Sequence, residues 1–181
     1  LRSHAPVALA ALLAFARPAH ATEPSADARW PGWRGQGQGV VQGAKVPLEW
    51  SETKNVLWKT ELPGRGHSSP IVWGDRIFVT TAIEGEVVPG SPRMKHPQPD
   101  GTDFRHPDAM GDDRRHAFKV LALDAGTGKI LWERTSWEGV PVDSRHKRAS
   151  FASPTAVTDG ERVFAYFGTQ GLYVYDFAGN L

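Results

Sequence analysis

One segment constrains the fold more than any other. Residues 122–132, ALDAGTGKILW, have the pattern of a strand end, a tight turn and a second strand that closes on a tryptophan. Residues 55–60, NVLWKT, repeat its second half, and residues 174–181, VYDFAGNL, repeat its first half. A second internal repeat relates residues 69–79 to residues 153–165, and the second copy is two residues longer at its turn. Such self-similarity is typical of repeat architectures.

Composition narrows the class further. The chain has 181 residues, 21 Lys plus Arg against 20 Asp plus Glu, and no cysteine, so neither a nucleic-acid footprint nor a disulfide scaffold is indicated. Seven Trp, eight Phe, 19 Gly and 14 Pro indicate short strands separated by turns, with large aromatic side chains between packed sheets. We therefore expect an all-β protein.

The first 21 residues have the pattern of a secretory signal peptide. Arg2 leads into the apolar run 7–15, and Ala19 and Ala21 supply the small side chains that a signal peptidase needs, although a buried helix is the alternative. The run is too short to span a bilayer, so we expect no membrane span in the mature chain and a periplasmic or secreted protein. Because the chain begins with Leu and stops inside a repeat, it is expected to be a fragment.

Residues 22–54 are rich in Pro, Gly and polar side chains and are predicted to form an irregular lead-in segment. Within it, GQGQG at 35–39 is interpreted as a flexible linker, since no strand precedes it and no helical pattern follows, as a phosphate-binding loop would require.

Apolar runs and turn residues predict the strands that follow, each joined to the next as in an antiparallel hairpin. They form a lone outer strand, a four-stranded unit interrupted by an insertion at 83–116, and three strands of a second unit. The predicted strands are Val56–Glu61, Ser69–Trp73, Arg76–Ala82, Phe118–Asp124, Lys129–Thr135, Phe151–Val157, Arg162–Phe167 and Leu172–Asp176.

The turn-plus-tryptophan segment resembles the tryptophan-docking repeat, A-x-D-x-x-x-G-K-x-x-W, of pyrroloquinoline-quinone-like (PQQ-like) β-propellers. The full motif is matched at Ala122, Asp124, Gly128, Lys129 and Trp132, with half-motifs at Trp58 and Asp176. The resemblance implies a β-propeller of four-stranded antiparallel blades, of which residues 55–181 supply about two, with the remaining blades missing from this chain. It also implies that the Trp wedges between blades and that the Asp ties down the turn.

The alternating strand direction predicts that three loops, 62–67, 83–116 and 136–150, share one face. All histidines after residue 21 fall in these loops. We expect this face to be the candidate ligand or partner site, although solvated loops are the alternative for the insertion and for the basic run at 145–148. Its candidate residues are Arg65, His67, His106, Asp108, Arg115, His116, Arg145, His146 and Arg148.

Two functions follow from the resemblance, since that family includes both quinoprotein dehydrogenases and the outer-membrane β-barrel assembly lipoprotein. The favoured one is a non-catalytic platform that binds a protein partner or a small ligand. The alternative is a dehydrogenase that oxidises alcohols or sugars with PQQ and calcium. The chain lacks the adjacent cysteines common in the large alcohol-oxidising members, and no catalytic residue, cofactor-binding residue or metal ligand is assigned, because the histidines show no recognisable ligand spacing.

Overall fold

The computed structural model describes residues 28–41, 43 and 45–181. The signal-peptide prediction for residues 1–21 lies outside them. The described residues confirm the all-β class: they form strands, turns and one 3-10 turn, Gly168–Gln170, with no α-helix among them.

Twelve strands are formed by the described residues, most of them short. In chain order they are β1 (Arg29–Trp30), β2 (Ile71–Trp73), β3 (Arg76–Val87), β4 (His96–Pro97), β5 (Asp103–Phe104), β6 (Ala109–Met110), β7 (Arg114–Asp124), β8 (Ile130–Gly139), β9 (Arg145–His146), β10 (Val157–Thr158), β11 (Arg162–Tyr166) and β12 (Leu172–Asp176).

Two antiparallel sheets account for the regular part of the chain. The first has the order β1-β2-β3-β7-β8, and the second has the order β10-β11-β12. Strands β2, β3, β7 and β8 are the predicted four-stranded unit, and the second sheet is the predicted three-stranded one. Two isolated pairs, β4 with β5 and β6 with β9, lie in the loops.

The lead-in segment is more ordered than expected. Its strand β1 pairs with β2 and makes the first sheet five-stranded. The carbonyl of Pro31 then accepts a 2.9 Å hydrogen bond from Thr158 N in the second sheet. The lead-in therefore contacts both sheets through its backbone, a type of contact that side-chain patterns do not reveal.

The core lies between the two sheets. Alternate residues of β3 and β7 point to it, so that Phe78, Phe118 and Val120 are fully buried there, together with Val163 and Ala165 of the second sheet. Burying a large apolar side chain of this kind contributes about 1.5–3 kcal/mol. The opposite face of the first sheet is also apolar, with a smaller cluster of Val79, Leu121 and Leu123.

The insertion is shorter than predicted. Pairing of β3 with β7 continues to Glu84 opposite His116 and, after a register shift, to Val87 opposite Arg114. Opposite charges support this extension, because Arg114 Nη1 lies 2.6 Å from Glu84 Oε1 across the ladder. The excursion between the paired strands is therefore 88–113 rather than 83–116.

Two predicted strands are wrong in whole or in part. Residues 56–61 form no strand, because no described strand lies beside them to complete a ladder. In the segment 151–157 only Val157 belongs to a strand. Pro154 has no N–H to donate, and the Ser153 hydroxyl donates a 2.6 Å bond to the Ser150 carbonyl, so local bonds replace the ladder there.

Candidate functional site

The first sheet has two chemically different ends. At one end Arg76 pairs with Asp124, and the hairpin turns of both units lie there. At the other end Glu84 pairs with His116, which in turn pairs with Gly139. We call these the turn end and the loop end.

The turn end carries the first tryptophan contact. Asp124 Oδ1 accepts hydrogen bonds from the N–H and hydroxyl of Thr127, at 2.8 and 2.7 Å, and these bonds lower the pKa of Asp124. Trp58 Nε1 donates to the Ala125 carbonyl at 2.8 Å. A Cβ at Gly128, whose φ is +71°, would lie 2.4 Å from the Trp58 ring, so only glycine fits beneath it.

The second unit repeats this contact. Trp132 Nε1 donates to the Phe177 carbonyl at 2.9 Å, and Asp176 Oδ1 accepts from Asn180 N at 2.8 Å. In both units the Trp bonds to the carbonyl of the residue that follows the Asp. The equivalence extends two residues further, because Thr60 Oγ1 donates to Gly128 O and Arg134 Nε donates to Gly179 O.

These geometries give the repeat-motif residues a structural role. Ala122 is fully buried opposite Trp132. Lys129 is exposed, and its carbonyl accepts a hydrogen bond from Asp124 N. The Asp124 and Asp176 carboxylates are bonded within their own turns.

The loop end brings together side chains from two separate segments. Pairing of β6 with β9 places Ala109 opposite His146, and Lys147 N donates to the Asp108 carbonyl at 2.9 Å. As a result His146 Nε2 lies 3.3 Å from Asp108 Oδ2, and the His106 and His146 rings are 5.7 Å apart. We call His106, Asp108 and His146 the His-Asp cluster.

Hydrogen bonds orient the His-Asp cluster. The Nδ1 atoms of His106 and His146 accept from the backbone N–H groups of Asp108 and Arg148, each at 3.1 Å, so Nε2 is the nitrogen of each ring that these bonds leave unused. Lys147 Nζ lies 2.8 Å from Asp108 Oδ1, and this contact lowers the pKa of the Asp108 carboxyl. Both rings are exposed, so the cluster is open to solvent.

An ion pair between a buried arginine and an exposed glutamate lies beside the cluster. Arg145, whose side chain is 7% exposed, donates to Glu84 Oε2 at 2.9 Å. Burial opposes ionisation of Glu84, but the bond from Arg145 and the charge of Arg114 outweigh it and lower the pKa of Glu84. This ion pair links the loop that carries β9 to the end of β3.

His116 is buried beside this ion pair. It is 2% exposed, and burial lowers its pKa below the ordinary value of 6.5. Its Nδ1 lies 3.0 Å from the Arg114 carbonyl, so Nδ1 carries the proton. Its Nε2 lies 3.8 Å from Glu84 Oε2 and has no hydrogen-bond partner among the described residues. The His116 and Phe151 ring centroids lie 4.8 Å apart, with the two ring planes at 73° to each other.

The remaining candidate residues lie further out. Arg115 Nε contacts Glu86 at 3.1 Å, and the side chains of Arg65 and Arg148 are exposed. His67 borders a shallow cleft together with Trp33, Ser153, Thr155 and Val157. The Ser153 and Thr155 hydroxyls already bond to backbone groups, so this cleft presents few free polar groups. Of the nine predicted residues, His106, Asp108 and His146 are brought together in the cluster, and the other six lie outside it.

Sequence reasoning missed one ion pair that organises the loop end. Asp112 is fully buried and binds the Arg105 guanidinium through both carboxylate oxygens, with Oδ1 at 2.7 Å from Nη2. The Arg105 bond lowers the pKa of Asp112, which also accepts from Met94 N at 3.2 Å. Asp112 stands in the charged run DDRRH, a pattern that normally indicates a solvated loop.

Among the described residues, no helix is long and apolar enough to cross a membrane. Comparisons of the chain with protein-family models, with curated proteins and with solved structures find no match in any of the three. The site must therefore be interpreted from its own geometry.

Proposed function

We propose that this chain is part of an exported β-propeller of the PQQ-like type that acts as a non-catalytic binding platform through its loop end. Two consecutive antiparallel sheets packed face to face, with the same Trp-on-turn contact in each, support the propeller assignment. Export follows from the signal-peptide pattern at residues 1–21.

The observation that carries the platform function is the contrast between the two ends. At the turn end the Asp124 and Asp176 carboxylates bond within their own turns, whereas the loop end gathers exposed cationic and imidazole side chains beside the Arg105–Asp112 and Arg145–Glu84 ion pairs. Rigid elements that position charged loops are a common basis for recognition. The partner is a protein or a small ligand with an anionic surface that complements Arg115, His146 and Arg148.

Site-specific photocrosslinking tests this proposal in cells that export the full-length product. A photoreactive amino acid replaces Arg148 or Arg115 at the loop end, and the matched control replaces Lys129, which is exposed at the turn end. We expect a discrete adduct from the loop-end positions and none from Lys129. Equal crosslinking at both ends would contradict the platform, and the absence of a discrete adduct at both loop-end positions would contradict a protein partner.

The dehydrogenase is tested in parallel. The purified full-length product is incubated with PQQ and calcium, and dye reduction is followed with alcohols and sugars. Dye reduction that depends on PQQ would replace the platform with an enzyme. Under the platform function we expect no dye reduction that depends on PQQ.

A further inference from the structure

The His-Asp cluster has the composition of a metal site. His106, Asp108 and His146 each offer one ligand atom, and these atoms all lie within 4.8 Å of one another. We propose that the cluster binds a divalent transition-metal ion of the zinc type. The proposal depends on local geometry alone and holds whether or not the chain belongs to a propeller.

The donor set selects the class of metal. Two imidazole nitrogens and one carboxylate oxygen suit zinc and its neighbours, whereas calcium and magnesium take oxygen ligands almost exclusively. Three protein ligands leave the fourth tetrahedral position to water or to a donor from a bound partner. Because both rings are exposed, an incoming ligand reaches that position directly.

The backbone holds the two histidines in equivalent positions. Each is the first residue of a β-turn, closed by Ala109 N to His106 O at 3.0 Å and by Ala149 N to His146 O at 2.8 Å. Pairing of β6 with β9 joins the two turns side by side. The ligands are therefore carried by a paired backbone, although the two histidines lie 40 residues apart in sequence.

Two features oppose metal binding and make the proposal testable. The Nδ1 atoms accept backbone hydrogen bonds, so in the metal-free chain the Nε2 atoms carry the ring protons. For a metal to bind at Nε2, the single proton of each neutral ring must shift to Nδ1, and the two backbone hydrogen bonds to Nδ1 are then lost. Lys147 competes for the Asp108 carboxylate from 2.8 Å. Removal of the Lys147 charge must therefore strengthen metal binding.

Isothermal titration of the full chain with zinc chloride tests the site. We expect one zinc per chain at the cluster, with Asp108→Asn and His146→Gln each weakening that binding about tenfold or more. Lys147→Met is expected to tighten it several-fold. His96→Gln is the matched control, since His96 is an exposed histidine of the same insertion outside the cluster, and it should leave the affinity unchanged.

Two further measurements keep the result decisive. The titrations are repeated in a His4→Gln, His20→Gln background, which removes the imidazoles outside the described residues. Circular dichroism of each metal-free variant reports its folding, and His106→Gln provides a second ligand variant if Asp108→Asn does not fold. No zinc binding, zinc binding that survives loss of Asp108 and of both histidines, or an equal loss in His96→Gln would overturn the proposal.

Discussion

The turn end and the loop end of the first sheet are stabilised by different kinds of interaction. At the turn end, aspartates bond to the backbone a few residues away, glycines adopt a left-handed conformation, and tryptophans pack on those glycines. At the loop end, ion pairs join side chains that are 7 to 61 residues apart, such as Arg105 with Asp112 and Arg145 with Glu84. The turns closed by an aspartate recur where their short motif recurs, whereas the Arg145–Glu84 pair, like the docking of Trp58 and Trp132, depends on contacts between distant segments.

The largest predicted effect tests the loop end. Asp112→Ala leaves Arg105 without its buried partner and should cost about 3–5 kcal/mol. Hydrogen exchange should accelerate at residues 94–113 while the turn around Gly128 stays protected. The control is Asp100→Ala, because Asp100 is exposed. Equal loss of protection at both ends would show that the two ends unfold as one cooperative unit.

The next effect tests the turn end. Gly128→Ala should lower the free energy of unfolding for two reasons. Alanine in a left-handed backbone conformation costs about 1–2 kcal/mol, and the clash of its Cβ with the Trp58 ring adds about 1–3 kcal/mol. Gly168→Ala is the matched control, because Gly168 has a φ of +62° but no atom within 4 Å of the position that a Cβ would occupy. Urea unfolding should show the larger loss for Gly128→Ala. Equal losses would mean that the ring moves away without cost.

A smaller effect tests whether the two tryptophan contacts are equivalent. Trp58→Phe and Trp132→Phe each remove one indole N–H bond to a carbonyl and should each cost about 1–2 kcal/mol. Thermal melts of the two variants should agree within about 0.5 kcal/mol, whereas Trp33→Phe, at a ring that is 66% exposed, should have little effect. Clearly unequal losses of stability would show that the two tryptophan contacts share their geometry but not their contribution to stability.

The smallest effect concerns pH at the loop end. Burial lowers the pKa of His116 in the folded chain below its ordinary value of 6.5, so the unfolded chain binds this proton more readily. The contribution of neutral His116 is therefore present above about pH 6.5 and is lost as the pH falls below it. Unfolding free energies at pH 7.5 and 5.5 should differ more for the wild type than for His116→Gln. An equal pH dependence of the unfolding free energy in the two proteins would show that a group other than His116 causes it.

Sequence patterns were most informative where the interactions are local. The turn at 124–128 and the strand Leu172–Asp176 follow from turn residues and apolar alternation, and the structure has both. The strand predicted at Phe151–Val157 failed because Ser150 and Ser153 bond to each other, which apolar content does not reveal. The strand predicted at Val56–Glu61 failed because a strand exists only beside a partner.

The candidate site shows the same division. The alternation of strands predicted one end for the histidine-bearing loops, and residues 106, 116 and 146 do lie there. Their roles differ, because His116 is buried against Phe151 whereas His106 and His146 face solvent around Asp108. Spacing along the chain gave no reason to expect a metal site, since the ligand atoms meet only through the pairing of β6 with β9.

By itself, the amino-acid sequence determined the all-β class, the order of the hairpins and the turns that Asp124 and Asp176 close, because each depends on side-chain periodicity or on bonds within about five residues. Only the tertiary structure decided that the lead-in adds a strand, that Asp112 is buried and that His106 meets His146. The lead-in strand and the His106–His146 contact join distant segments, and their loop-closure cost is offset only when many such contacts form together.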